Sequence, residues 1–221
     1  MLTLETQGEV LILKMDAGEN RFDNDAIRAW NELLDEAEAS EGPKALVTTG
    51  SGKFYSNGLD LDYMQSGDVE PAVYVETVLA IMSRILTFPA ITIAAMNGHA
   101  FGAGAQIALA HDYRIMRRDR GYFCMPEIDL GMPLHPGMTS LIQARLPIQT
   151  AHEVIATGTR YSGEMALASR IVDRLEDEAD VLSSAVELAA SLASKSAPVM
   201  TRLKAEMYPQ VIEAMASRMT R

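Results

Sequence analysis

Cysteine occurs once, at Cys124, so the chain forms no internal disulfide and has no cysteine-based zinc ribbon. That scarcity suits a reducing compartment, read here as cytoplasmic. No apolar run approaches the ~20 residues needed to span a bilayer. The longest, Phe88 to Met96, has the character of a buried strand. The opening Met1-Leu-Thr-Leu-Glu5 has no basic segment of the kind that begins a signal peptide. The closing Ser217-Arg-Met-Thr-Arg221 matches no peroxisomal or retention address. Positive charge is scarce too: 19 Lys and Arg stand against 30 Asp and Glu, a net charge of −11. This argues against nucleic acid or an anionic membrane as the main partner, although a local basic spot can still serve an anionic ligand. The four histidines, His99, His111, His135 and His152, have no metal-ligand spacing, and no H-E-x-x-H occurs, so no metal site is expected. Also missing are a G-x-S-x-G nucleophile elbow, a G-x-G-x-x-G dinucleotide fingerprint and the Gly-Lys-Ser/Thr of a phosphate loop.

What is present is an ordinary globular composition, 48 % hydrophobic and 22 % charged over 221 residues, enough for one well-packed domain. The first half alternates strands and helices. Thr3–Thr6 and Val10–Met15 flank Gly8 as a hairpin, and Asp23 caps a helix over 24–39 with Ile27, Trp30, Leu33, Leu34 and Ala37 on one face. Strands follow at Ala45–Thr49 and Ala90–Met96, separated by a glycine-rich turn over 50–58 and a helix over 73–86 that Pro89 ends. Ala103–Ala110 reads as a small-residue helix, with strands at Tyr113–Met116 and Tyr122–Cys124. From Pro136 onward the pattern is helical, over 137–145, 148–157, 163–168, 178–195 and 197–216, with a strand-like break at Arg170–Asp173.

Three segments carry the chemistry. Lys53-Phe-Tyr-Ser-Asn-Gly-Leu-Asp-Leu61 and Asn97-Gly-His-Ala-Phe-Gly-Ala-Gly-Ala-Gln106 can each bring a backbone N–H to a glycine-permitted turn or helix start. Met125-Pro-Glu-Ile-Asp-Leu-Gly131 sets one carboxylate, Glu127, among Met125, Ile128 and Leu130. Two amide donors and one acid/base are what is needed to stabilise an enolate oxygen while a proton moves. Each segment also has a plainer reading. Gly98, Gly102 and Gly104 serve equally for close helix–sheet packing, Asn57-Gly58 for a simple turn, and Glu127 for an exposed position on a short strand. Of the 14 methionines, Met64, Met82, Met132 and Met138 are candidates to shape an apolar pocket.

These residues together resemble the crotonase superfamily, the enoyl-CoA hydratase/isomerase fold. Phe54–Leu61 resembles the family's first oxyanion loop, and Asn97–Asp112 its second. His111–Gly121 and Pro126–Gly131 most resemble the Δ3-Δ2-enoyl-CoA isomerases of plant type. The resemblance implies an α/β crotonase (ClpP/crotonase-like) fold, with a β-β-α spiral core over 1–174 and a C-terminal helical trimerisation region over 175–221. It implies that the N–H groups of Leu59 and Ala103 hold a thioester oxygen and that Glu127 is the acid/base. Alanine at 103 replaces the family's usual glycine but keeps the N–H. The first of the hydratases' two glutamates falls on Gln106, which cannot shuttle a proton, so the expected reaction is conversion of 3-enoyl-CoA to trans-2-enoyl-CoA. Gln106 orients substrate or water, or fills space. The resemblance further implies CoA contacts around Lys53, Ser56, Asn57 and Gly58, with Lys204 and Tyr208 as additional candidates, and a substrate pocket that includes Met64, Met132 and His135. No cofactor is expected beyond the CoA thioester that arrives as substrate, and the expected assembly is a homotrimer or a dimer of trimers. The alternatives are a hydratase, another crotonase reaction such as thioester hydrolysis or C–C cleavage, and a catalytically silent acyl-CoA-binding subunit.

Overall fold

The computed structural model describes residues 1–218. Met219, Thr220 and Arg221, the end of the expected helical region and of the closing pentapeptide, lie outside the described residues.

The framework is a six-stranded sheet in the order Leu2–Gln7, Val10–Met15, Ala45–Gly50, Ile91–Met96, Tyr113–Arg117, Arg174–Glu176. The first pair is the antiparallel hairpin read around Gly8, and every later pairing is parallel. Parallel strands are covered on both faces, and side chains alternate between those faces along each strand. Val10, Ile12, Val47, Ile93 and Ala95 point to one side, where the alanine-rich helix Val181–Leu192 lies against them. Leu11, Leu13, Leu46, Ala94 and Met96 point to the other side, into the larger core. That core also holds Trp30 and Leu34 from the helix Asn24–Ala39, whose N-cap Asp23 accepts the Ala26 N–H at 2.7 Å.

A second, parallel sheet of three short strands, Phe54–Ser56, His99–Phe101 and Phe123–Cys124, stacks the three motif segments side by side. Beside it Arg21–Phe22 pairs with Gly58–Leu59. The turn expected over 50–58 therefore contains two short strands, both buried in tertiary pairings with segments far along the chain.

Three helical or strand boundaries differ from expectation. Arg170–Asp173 is not a strand: Arg170 is left-handed (φ 57°), and the Ile171 and Val172 N–H groups turn back to the Ala166 carbonyl at 2.8 and 3.3 Å. These bonds close the helix Gly163–Ala168; the Asp173 N–H then donates to the Arg114 carbonyl at 2.9 Å, and the strand begins at Arg174, opposite Ile115. The helix expected over 178–195 is shorter, Val181–Leu192, followed by a 3₁₀ turn at Ala193–Lys195. The helix expected over 197–216 breaks at Tyr208 into Pro198–Met207 and Pro209–Met215, because Pro209 has no N–H to continue the ladder. Val211 and Met215 from the last helix belong to the same core as Trp30, and no gap in packing marks residue 174.

Candidate active site

Glycine-to-backbone contacts lock the first two motif segments together. A Cβ on Gly104 would lie 2.3 Å from the Ser56 carbonyl oxygen, and one on Gly98 would lie 2.2 Å from that of Lys53, so both positions exclude any side chain. Gly58 is left-handed (φ 82°), and a Cβ there would lie 2.6 Å from the Phe101 carbonyl oxygen and 2.9 Å from the Ala103 nitrogen. The packing reading thus holds for Gly98 and Gly104. Gly102 differs: it has φ 51°, caps the Ala103–Ala110 helix, and donates its N–H to the Cys124 carbonyl at 3.0 Å. That bond ties the second segment to the third, just ahead of Glu127.

Ala103 is the first residue of its helix, so its N–H has no acceptor within the helix and lies at the positive end of the helix dipole. In the neighbouring segment the amides of Asn57, Gly58 and Asp60 are occupied by Glu19 O (2.8 Å), Ser56 Oγ (3.2 Å) and Tyr74 Oη (2.8 Å). Leu59 lies between them and, with Ala103, lines the cavity that contains Glu127.

Glu127 begins a single helical turn, Glu127–Leu130, directly after Pro126. The apolar setting expected from its sequence neighbours takes another form. Met125 is buried, while Ile128 and Leu130 are more than half exposed (55 % and 53 %), and Glu127 lines a cavity together with Leu59, Ala103, Leu130 and Met132. Burial pushes the Glu127 pKa up, opposed by hydrogen bonds from backbone and from Gln106. Gln106, fully buried behind the carboxylate, donates Nε2 to Glu127 Oε1 at 3.3 Å. Two buried oxygens beside this bond, Glu127 Oε2 and Gln106 Oε1, have no hydrogen-bond partner among the described residues. An orphaned buried acceptor typically costs about 1–3 kcal/mol.

The cavity has two lobes, about 310 and 410 Å³, that share Leu59, Ala103, Glu127 and Met132. The smaller lobe has a polar rim formed by Arg21, Asn57 and Asp62. Arg21 pairs there with Glu19 (2.7 Å), Asp62 (3.4 Å) and Asp60 (3.5 Å). The larger lobe is apolar, walled by Met64, Val75, Leu134 and Met138. His135 also lines it, but both ring nitrogens are engaged: Nδ1 accepts the Gly137 N–H at 3.0 Å and Nε2 lies 3.1 Å from the Ser217 carbonyl.

The structure thus brings Glu127, Leu59, Ala103, Asn57, Met64, Met132 and His135 to one cavity, with Gly58 and Gln106 directly behind its wall. Other candidates lie elsewhere. Ser56 is a buried brace, donating Oγ to the Asn20 carbonyl at 2.7 Å. Lys53 is exposed, 5.2 Å from the Phe54 ring centre, and borders a separate hollow with Arg117 and Arg120. Lys204 is buried, its amine 2.6 Å from Asp112 and 2.8 Å from the Ala90 carbonyl, so it is a structural cation in this fold. Tyr208 accepts a hydrogen bond from Arg145 on the same side of the core. Sequence reading missed Arg21, Val75 and Leu134. No local motif marks them, and only the pairing of Arg21–Phe22 with Gly58–Leu59 brings Arg21 to the rim. No group of three His, Cys, Asp or Glu side chains among the described residues is disposed to hold a metal ion.

Comparison with known proteins identifies the family. The chain is 35% identical over 96% of its length to enoyl-CoA delta isomerase 2, peroxisomal, of Arabidopsis thaliana, covering 93% of that protein. It is 32% identical over 94% of its length to carnitinyl-CoA dehydratase of Salmonella paratyphi A, covering 79% of it. Its fold superimposes on the crystal structure of a probable enoyl-CoA hydratase from Mycobacterium tuberculosis with a TM-score of 0.89 at 24% identity, covering 97% of this chain and 91% of that one. Residues 5–220 match the family model for enoyl-CoA hydratase/isomerase, and the chain belongs to that family, with the crotonase fold.

Proposed function

We propose that the protein isomerises 3-enoyl-CoA thioesters to trans-2-enoyl-CoA. The observation that carries this reading is the single carboxylate at the waist of a two-lobed cavity, with an amide side chain, Gln106, where a second acid would have to stand for two-carboxylate hydration. The 35% identity to a plant enoyl-CoA delta isomerase supports the same reaction.

In this reading the thioester lies at Leu59 and Ala103, its CoA arm leaves through the polar rim at Asn57 and Arg21, and the acyl chain enters the methionine-lined lobe. Glu127 as carboxylate takes a proton from C2. The C2–H electron pair becomes a dienolate, and its oxygen charge is met by the Leu59 and Ala103 N–H groups. The same carboxyl returns the proton to C4, the double bond now joins C2 and C3, and Glu127 is again ionised. Protons and charge balance within substrate and side chain. Oxyanion donors of this kind are worth about 2.7–4 kcal/mol each, and burial keeps Glu127 basic enough to act near neutral pH.

The test is to follow conversion of 3-hexenoyl-CoA to the conjugated 2-enoyl ester by wild type and by Glu127→Gln. Turnover by the wild type with a loss of at least ~100-fold in the variant is expected, within the range for a general base. The identity to carnitinyl-CoA dehydratase supports a second reading, water addition or removal. Offered 2-hexenoyl-CoA, formation of a 3-hydroxyacyl product by a protein that leaves 3-hexenoyl-CoA unchanged would establish it.

A further inference from the structure

Gln106 sits in a helix, AGAQIALA, that is buried at every position. Leucine or methionine there would bring no oxygen of its own into the interior, whereas glutamine leaves its Oε1 buried and unpartnered among the described residues. The other end of the amide shows what is gained. Nε2 donates to Oε1 of Glu127 at 3.3 Å, while Oε2 of Glu127 has no partner among the described residues. An ionised carboxylate only accepts, so the amide must present its NH₂. The two carboxylate oxygens are thereby made unequal.

From this asymmetry we infer that Gln106 is a positioning residue: it tethers Glu127 by Oε1 and assigns the moving proton to Oε2. When Glu127 is ionised, Oε1 accepts from Gln106. When a proton arrives it bonds to Oε2, and Oε1, now the carbonyl oxygen of the acid, accepts from the same Nε2. One hydrogen bond serves both states, so the carboxyl plane does not have to turn between taking the proton and returning it. The inference rests on the proposed isomerisation, in which one group performs both transfers. The ionisable groups around Glu127 are Arg21 and Asp62 at the polar rim, Glu70 and His135 on the apolar lobe, and Cys124 and Asp129 nearby in the chain. Among the described residues, Gln106 is the side chain that hydrogen-bonds the carboxylate.

The test uses Gln106→Leu and Gln106→Met, which remove the donor at similar volume. Three quantities are compared with wild type: the thermal unfolding midpoint, the Glu127 titration by carbon-13 NMR (assigned by its absence in Glu127→Gln), and kcat and KM for 3-hexenoyl-CoA across pH. The tether predicts an unfolding midpoint close to wild type, because losing the bond to Glu127 offsets removal of the orphaned Gln106 oxygen, and a Glu127 titration moved to higher pH, since a donor to the charged form has been removed. It predicts kcat lowered at least ~10-fold at neutral pH with KM within ~2-fold, because only the transition state is affected, and an acid limb of kcat that moves up with the titration. A lowered unfolding midpoint with the titration and kcat unmoved would make Gln106 a packing residue and overturn the inference, as would failure of both variants to fold. If the wild type does not turn over the ester, the reaction assignment fails. The titration then still decides: a raised midpoint keeps the tether, and an unmoved one overturns it.

Discussion

At the scale of the residue, Glu127 is buried although two of its chain neighbours, Ile128 and Leu130, are more than half exposed; it lines a cavity with Leu59, Ala103 and Met132, and burial raises its pKa. Two consequences follow from the sign of that shift. The base form must be ionised to accept the C2 proton, so kcat/KM falls as pH drops through the raised pKa, and the acid limb lies above the ordinary glutamate value of about 4.3. A pH–rate profile checks this. A raised folded-state pKa also means that the group's contribution to stability is fullest below the unfolded pKa and is lost as pH rises through the folded one. Glu127→Gln is therefore expected to unfold at a higher temperature than wild type near pH ~8, with the difference closing toward pH ~4, as thermal scans at the two pH values would show.

At the scale of the element, close backbone approach sets the site. Gly58→Ala would force a side chain onto a left-handed residue and into the Phe101 carbonyl and Ala103 nitrogen. A loss of at least about 1–3 kcal/mol is expected in denaturant unfolding, along with reduced turnover from the displaced Leu59. That Leu59, Ala103 and Glu127 belong to one cavity was legible through the family resemblance of their segments, each a compact local motif: a glycine turn, a glycine-capped helix start, a Pro-Glu step. The helix 24–39 and the hairpin were legible from capping and alternation. What lay hidden was set by distant partners. Lys204 looks like a free cation in sequence, yet Asp112 and the Ala90 carbonyl claim its amine. Arg170–Asp173 carries strand-like residues, but its first three N–H groups close a helix and only that of Asp173 reaches the sheet, at the Arg114 carbonyl. Removing one partner of a buried ion pair costs about 3–5 kcal/mol, so Lys204→Met is expected to lose stability on that scale while leaving KM for CoA esters within ~2-fold. A large rise in KM would return Lys204 to the ligand site.

At the scale of the whole molecule, the expected boundary at 174 does not divide the packing. The helix Val181–Leu192 covers Val10, Ile12, Val47, Ile93 and Ala95 on one face of the main sheet, and Val211 and Met215 complete the core on the other. A chain ending at residue 174 would open both faces to water, and no cooperative thermal transition is expected from it. With both faces closed, the motif segments are held against one another and Glu127 stands where the two lobes of the cavity meet, and the proposed reaction requires that this one carboxyl serve both reacting carbons. The most direct test of that claim is to let wild type act, in ordinary water, on 3-hexenoyl-CoA carrying deuterium at C2, and to locate the label in the 2-enoyl product. One carboxyl moving one proton predicts deuterium at C4. Hydrogen at C4 drawn wholly from solvent, or no isomerised product, would contradict it.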